Sequence, residues 1–256
     1  MKKTYSLLAC MALVASTASA QVTVVYSQTF NNTVNATLIN IPGWNWAVSD
    51  GGDSASTARQ FSRLSNGTGI GGTAGFVYNA PAAQVGEVAS LTWYNGATFS
   101  QDTLDSLSVF IGHNNNANET RFVIEIDGAG WFTTTQAWTN NVGGGGNFAS
   151  QAVEVSLNFT TTGSAWRPLA FDGNVGAAST GFAVFSGDQS ANALETTLPA
   201  GTITAVGVYN YIYNYMPAGS ITRFDDFAVA IPEPSTYAAI LGLLALGLLI
   251  HRRRRA

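Results

Sequence analysis

Two carboxylates spaced two residues apart are the best catalytic candidates in this 256-residue sequence. Glu125 and Asp127 fall in a run of alternating apolar residues that predicts a strand, so both acids would project from one face. Such a pair can cleave a glycosidic bond by acid and nucleophilic catalysis. However, Gly130 stands at the third acid position of a Glu-x-Asp-x-x-Glu pattern. We therefore expect no catalytic residues, and expect the two acids to line the wet face of a strand.

Histidine and cysteine offer little further chemistry. The sequence has two histidines and one cysteine, and removal of both ends would leave only His113. A Ser-His-Asp triad would have to use that one residue, and a histidine-rich zinc site would lack ligands. We expect His113 to lie in a surface loop, because a run of asparagines follows it.

Four aspartates could bind a structural calcium ion, which prefers oxygen ligands. Asp50 and Asp53 lie in a Gly-rich stretch, whereas Asp225 and Asp226 lie in a predicted strand near the C-terminus. Their spacing matches no defined calcium loop. The alternative is that Asp50 and Asp53 cap turns while Asp226 faces solvent at a sheet edge.

Aromatic residues at a spacing of two could form a sugar-binding platform. An extended strand would place Tyr209, Tyr211, Tyr213 and Tyr215 on one face, and Trp44 and Trp46 would form a second pair. Such rings could stack on pyranose rings. The candidate glycan-binding residues are therefore Trp44, Trp46, Tyr211, Tyr213 and Tyr215. The alternative is that the first tyrosines of the row point into the core.

The charge of the central region argues against nucleic acid as a partner. Between residues 21 and 230, five arginines and no lysine stand against fourteen acidic residues, a formal charge of −9. Such a surface repels a phosphate backbone.

The segments that contain these candidate residues have the sequence pattern of β-strands. Apolar and polar residues alternate, and Gly-, Asn- and Asp-rich breakers separate the runs without a helical stripe between them. This pattern predicts one all-β domain over residues 21–230, a two-sheet antiparallel sandwich of jelly-roll type with eight to eleven strands. The expected strands are Val22 to Tyr26, Val88 to Tyr94, Leu107 to Ile111, Arg121 to Asp127, Val153 to Phe159, Trp166 to Phe171, Thr202 to Tyr209 and Thr222 to Ala230.

The N-terminal 20 residues have the pattern of a signal peptide. Lys2 and Lys3 precede an apolar stretch, and Ala18 and Ala20 are the small residues that signal peptidase requires before a cut. The mature chain would begin at Gln21 and contain no cysteine. A competing interpretation, lipid modification at Cys10, leaves too few residues before the cysteine for a charged and an apolar region.

The C-terminal residues 231–256 combine three features. Pro232-Glu233-Pro234 comes first, an apolar run over 237–250 predicts a short transmembrane helix, and the arginines 252–255 follow it. The prolines separate this helix from the preceding strand. Arg252, Arg253, Arg254 and Arg255 favour the cytoplasmic side of a membrane, which would place the central domain on the other side.

In this order of parts, the tail resembles the PEP-CTERM class of exported bacterial proteins. The resemblance implies recognition and cutting of the tail by an exosortase-type enzyme, and transfer of the body from a membrane-anchored precursor to the cell surface or the extracellular space. It also implies a Gram-negative source that produces polysaccharide. Arg121 to Asp127 followed by Trp131, and Asp225-Asp226-Phe227, are similar to segments of uncharacterised β-sandwich exoproteins with the same tail. The second segment also resembles the closing strand of galactose-binding-like jelly rolls.

Three functions remain open from the sequence. The leading hypothesis is a non-enzymatic surface or matrix protein that binds extracellular polysaccharide. The alternatives are a glycoside hydrolase or lyase of sandwich fold, and a purely structural matrix component.

Overall fold

The computed structural model describes residues 22–31, 37–49, 59–81, 87–143, 147–175, 183–213 and 220–233. Within these ranges the chain forms fourteen strands, one single-turn helix and three short 3-10 turns. The strands are β1 Val22–Gln28, β2 Thr37–Leu38, β3 Trp44–Val48, β4 Arg59–Thr68, β5 Ala74–Pro81, β6 Val88–Tyr94, β7 Phe99–Ser100, β8 Ser106–His113, β9 Glu119–Ile126, β10 Gly130–Thr134, β11 Val153–Asn158, β12 Trp166–Pro168, β13 Thr202–Ile212 and β14 Thr222–Pro232. Helix α1 spans Phe148–Gln151.

The strands form two seven-stranded antiparallel sheets. The first sheet has the order β11-β8-β14-β5-β4-β2, and β1 also pairs with β14. The second sheet has the order β12-β10-β9-β13-β6-β3, and β7 also pairs with β13. The predicted all-β, two-sheet antiparallel sandwich is therefore confirmed.

The main core lies between the sheets and follows the alternation of the sequence. In β9, Phe122, Ile124 and Ile126 point into this core, and Leu107, Val109 and Ile111 of β8 meet them from the opposite sheet. Burial of these side chains supplies the main driving force for folding.

The two ends of the sandwich contain different loops and strand ends. The asparagine end contains the connection 114–118 between β8 and β9, the last residue of β13 and the first residue of β14. The tail end contains the turn 127–129 and the last residue of β14, Pro232. Strand β14 has 11 residues, so it separates the two ends by about 33 Å.

A second core covers the outer face of the second sheet. Leu91, Trp93, Val123 and Trp131 pack there against Leu169 and Phe185, from the connection between β12 and β13. We call the described parts of this connection, residues 169–175 and 183–189, the cover segments. The cover segments explain why Val123 is apolar although it lies on the outer face of β9. They also correct the expectation of a solvated outer face at Arg121, which is fully buried.

The eight strands expected from the sequence all occur, with shifts of a few residues at their ends. The expected number of strands was wrong, because β2 to β5, β7 and β10 were not identified. Asn66-Gly67, expected to break a strand, lies inside β4. The Ser65 hydroxyl accepts a hydrogen bond from the Gly67 amide there, next to a shift in strand register.

Candidate functional site

The predicted sorting segment begins inside the last strand of the sandwich. Pro232 ends β14 opposite Val22, the first residue of β1. The next residue, Glu233, accepts a hydrogen bond from the Thr23 hydroxyl at 3.0 Å. The chain therefore leaves the sandwich at the tail end, beside the start of β1.

Several predicted residues lie outside the described ranges. They are Ala18, Ala20, Gln21, Asp50, Asp53, Tyr215, Pro234, Arg252, Arg253, Arg254 and Arg255. The predicted membrane helix over 237–250 also lies outside them, and none of the helices that are described is long and apolar enough to cross a membrane.

The two predicted tryptophans are interior residues rather than surface platforms. Trp44 is 5% exposed and Trp46 is 8% exposed. The Trp44 ring packs edge-on against Phe30 and Phe227, and its indole N–H donates to the Tyr26 hydroxyl at 2.6 Å. A sugar cannot reach these ring faces in this packing.

The predicted tyrosine row is interrupted by burial. Tyr211 is 2% exposed, and Tyr209 is stacked on Phe185 of the cover segments with ring centroids 4.6 Å apart. The Tyr209 hydroxyl accepts from the Phe185 amide and donates to the Ala183 carbonyl, both at 3.0 Å. Burial raises the pKa of both tyrosines. The predicted row of four exposed rings therefore does not form.

Tyr213 is the predicted ring that does reach solvent. It is 38% exposed, directly after β13 at the asparagine end. Among the side chains whose exposure the structure describes, it is also the only aromatic one in the group of exposed large apolar residues. Its amide donates to the Asn118 side chain at 2.9 Å, so its backbone is fixed while its ring is accessible.

A buried ion pair fastens the cover segments to the second sheet. Arg121 is fully buried and lies 3.0 Å from the Glu119 carboxylate. Its guanidinium also donates to the carbonyls of Thr134, Thr135 and Gly187. The Gly187 amide in turn donates to Glu119 at 2.6 Å. Burial lowers the pKa of Arg121 and the Glu119 charge opposes that shift. Because both charges are occupied by internal partners, we assign this cluster to fold stability.

The carboxylate pair of β9 is split between two environments. Glu125 is half-buried and accepts a hydrogen bond from the Thr204 hydroxyl at 2.8 Å. Asp127 is exposed in the turn that leads to Gly130. The two acids therefore do not share the strand face that was expected, and the structure gives no geometric support for a catalytic role of either residue.

Asp225 and Asp226 occupy an irregular part of β14. The strand register shifts between Asp225 and Ala228, and Asp226 has a positive φ of 49°. Asp225 is fully buried and accepts hydrogen bonds from the amides of Ile70 and Asp226. Burial raises its pKa to about 7. The described residues contain no group of three or more acidic, His or Cys side chains suited to a metal ion, so calcium binding stays a prediction.

His113 is not in a surface loop, as was expected, but ends β8 inside the sandwich. It is fully buried, and its Nε2 lies 3.0 Å from the Thr120 hydroxyl on the opposite sheet. Burial, together with the charge of Arg223, lowers its pKa to about 3. The expectation was wrong because the residue before the asparagine run still belongs to the strand.

His113 belongs to a polar cluster that bridges the sheets at the asparagine end. The Thr120 hydroxyl donates to Asn210, and the hydroxyls of Ser62 and Thr92 meet across the sheets at 3.0 Å. We call this group the polar interior cluster; its members, each at most 1% exposed, are Ser62, Asn79, Ser90, Thr92, His113, Thr120, Asn210 and Thr222. Each member shares the strand parity of apolar core residues, but sequence alone could not show that they meet.

The asparagine run itself closes this end of the sandwich. Asn118 accepts from the Tyr213 amide and the Ser220 hydroxyl, and donates to the Ile221 carbonyl. Asn114 accepts from the Ile221 amide at 2.5 Å. These bonds tie the connection 114–118 to both β13 and β14. They leave Asn116 and Ala117 exposed.

Residues 230–255 match the PEP-CTERM protein-sorting motif. The chain carries a PEP-CTERM motif at its C-terminus. This PEP-CTERM motif implies an exported cell-surface protein that is processed by an exosortase. Its first residues are the end of β14, so the beginning of the motif lies at the tail end of the sandwich.

No curated protein shows significant similarity to the chain. Among solved structures, it resembles an exo-beta-agarase at 10% identity and a TM-score of 0.40, over 81% of this chain and only 25% of the agarase. It resembles the family 11 carbohydrate-binding module of a cellulosomal cellulase of Clostridium thermocellum at 11% identity and a TM-score of 0.42, over 84% of this chain and 96% of the module. A cleaved adhesin domain of Lys-gingipain from Porphyromonas gingivalis is 13% identical, with a TM-score of 0.30 over 82% and 97% of the two chains. Values of this size do not establish relatedness.

Proposed function

We propose that the chain is an exported, non-enzymatic surface protein that displays the asparagine end away from the membrane and binds extracellular polysaccharide there. Signal peptidase removes residues 1–20, the helix over 237–250 holds the precursor in the membrane, and Arg252–Arg255 stay on the cytoplasmic side. An exosortase-type enzyme then processes the tail.

The observation that carries this proposal is the course of β14. Thr222 starts this strand at the asparagine end and Pro232 ends it at the tail end. In the precursor, before the tail is cut, a body tethered through Pro232 by a few residues keeps its tail end close to the membrane. The asparagine end then stands about 33 Å away, where a matrix polymer is accessible.

The exposed chemistry of the asparagine end favours a sugar ligand. The Tyr213 ring can stack on a pyranose ring, and Asn116 and Asn141, joined by a 2.8 Å hydrogen bond, present amides beside a polar surface. The formal charge of −9 over residues 21–230 favours a neutral polymer over an acidic one.

Replacing Tyr213 by alanine is expected to weaken retention on a neutral polysaccharide by about fivefold, because an exposed stacking ring contributes roughly 1 kcal/mol. The measurement is the binding isotherm of the purified protein on beads that carry neutral or uronate-containing polymers. Val153→Ala removes a similarly exposed apolar side chain from β11 and serves as the control. Equal retention of the wild type and Tyr213→Ala, or no retention on any polymer, would reject binding at this end.

A further inference from the structure

The first residue of the sorting motif is paired in the sheet on both edges, and the next two residues are paired on one edge. The motif begins at residue 230. Ala230, Ile231 and Pro232 pair with Val24, Thr23 and Val22 of β1. On the other edge Ala230 pairs with Ser106 of β8, and its carbonyl accepts from the Asp105 amide at 2.9 Å. Beyond the strand, the Thr23 hydroxyl still holds the Glu233 carboxylate.

A processing enzyme needs the opposite arrangement. Enzymes that cut a peptide bond bind the chain in an extended form, with its backbone free to pair with the enzyme cleft. A backbone that is already paired becomes available only when the local structure opens. The bonds up to Pro232 are therefore poor substrates in the folded body, and the Glu233 side chain is withheld as well.

We propose that β1 shields the beginning of the PEP-CTERM motif, so that the tail is cut on the C-terminal side of Glu233. This inference rests on the proposed exosortase-type processing. In this hydrolysis the peptide C–N bond breaks, the oxygen of water joins the carbonyl carbon, and the leaving amine takes up a proton. The mature body keeps Pro232 and Glu233.

This position of the cut preserves the fold. All the residues that β14 uses to pair with β1 and β8 remain in the product, from Thr222 to Pro232. A cut before Ala230 would instead remove the partners of Val22, Thr23 and Val24. Strand β1 and the first residues of the sorting motif are therefore paired in one sheet, and both remain in the product.

The test is the C-terminal sequence of the processed protein. The full chain is expressed in a host that contains an exosortase, and the C-terminal peptide of the surface form is identified by mass spectrometry. We expect chains that end at Glu233 or later. Chains that end at or before Pro232 would overturn the inference while supporting tail processing. Chains that retain the whole tail would overturn both the inference and the proposed processing.

Two proline variants of β1 test the shielding itself. Val24 pairs with Ala230, whereas Val25 lies at a bulge and pairs with no residue of β14. Val24→Pro is expected to increase the fraction of chains ending before Glu233 several-fold, because proline removes an amide donor from the strand. Val25→Pro should give wild-type ends. Thr23→Val is a milder change that keeps the shape of the side chain. It should also increase the fraction of chains that end before Glu233. Unchanged ends in folded Val24→Pro and Thr23→Val proteins would show that β1 does not shield the motif.

Discussion

Arg121→Met is expected to lower the free energy of unfolding by about 3–5 kcal/mol, the usual cost of removing one partner of a buried ion pair. For a domain of this size that loss lowers Tm by roughly 6–20 °C. Glu119 would keep a buried charge, and the carbonyls of Thr135 and Gly187 would lose their donor. The cover segments would then lose the hydrogen bond that joins the Gly187 carbonyl to the second sheet.

Thermal unfolding followed by circular dichroism measures this effect. Glu125→Gln is the matched control, because Glu125 lies on the same strand and is held by a single hydroxyl group. We expect the control to change Tm by only a few degrees at most. A Tm for Arg121→Met close to that of the control would show that the buried pair does not hold the cover segments in place.

The pH dependence of stability should contain two large and opposite contributions. Burial holds the pKa of His113 at about 3, below its ordinary value of 6.5. The stability that depends on a neutral His113 is therefore lost as the pH falls from 6.5 towards 3. Burial holds the pKa of Asp225 at about 7, above its ordinary value of 3.8, so stability falls as the pH rises from 3.8 to 7. Between about pH 4 and 6.5 the two slopes cancel in the wild type.

Single variants should expose each slope. In His113→Gln, stability is expected to decrease from pH 4 to pH 7 by roughly 4 kcal/mol, because only the Asp225 contribution remains. In Asp225→Asn, stability should increase by a similar amount from pH 3 to pH 6.5. Urea unfolding at several pH values measures both curves. Slopes are compared rather than absolute stabilities, because either substitution also removes hydrogen bonds. Curves parallel to that of the wild type would contradict the assigned burial of these two groups.

The alternation of apolar residues predicted the strands that form the centre of each sheet. Val88–Tyr94 was located correctly at both ends. The expected run at β9 began two residues late and ended one residue late, and β8 extends beyond its expected run by one residue at the start and two at the end. These strands could be identified because one face of each contributes to a single continuous core, which fixes the side-chain pattern locally.

The strands β3, β4 and β5 could not be identified in the same way. Trp44–Val48 has only five residues, four of them buried, and it is too short to show a clear alternation. In Arg59–Thr68 two register shifts interrupt the pattern. Such bulges depend on the partner strand and leave no clear local signal.

The candidate site was harder to predict than the fold. Tyr209 and Tyr211 followed the expected spacing, but a bulge between Ile203 and Ala205 changes which residues of β13 face the core. The cover segments then bury the outer face, through contacts between residues more than 20 positions apart. His113 was misplaced because its burial depends on Thr120, which lies across the sandwich.

The central claim is that the sandwich lies outside the cytoplasm, and labelling of single cysteines in intact cells tests it most directly. Ala117→Cys and Ala129→Cys place one exposed thiol at the asparagine end and one at the tail end, in a chain whose only natural cysteine, Cys10, is replaced by serine. A maleimide that cannot cross the inner membrane is predicted to label both variants in intact cells. Labelling of either variant only after the cells are lysed would contradict export of the folded body.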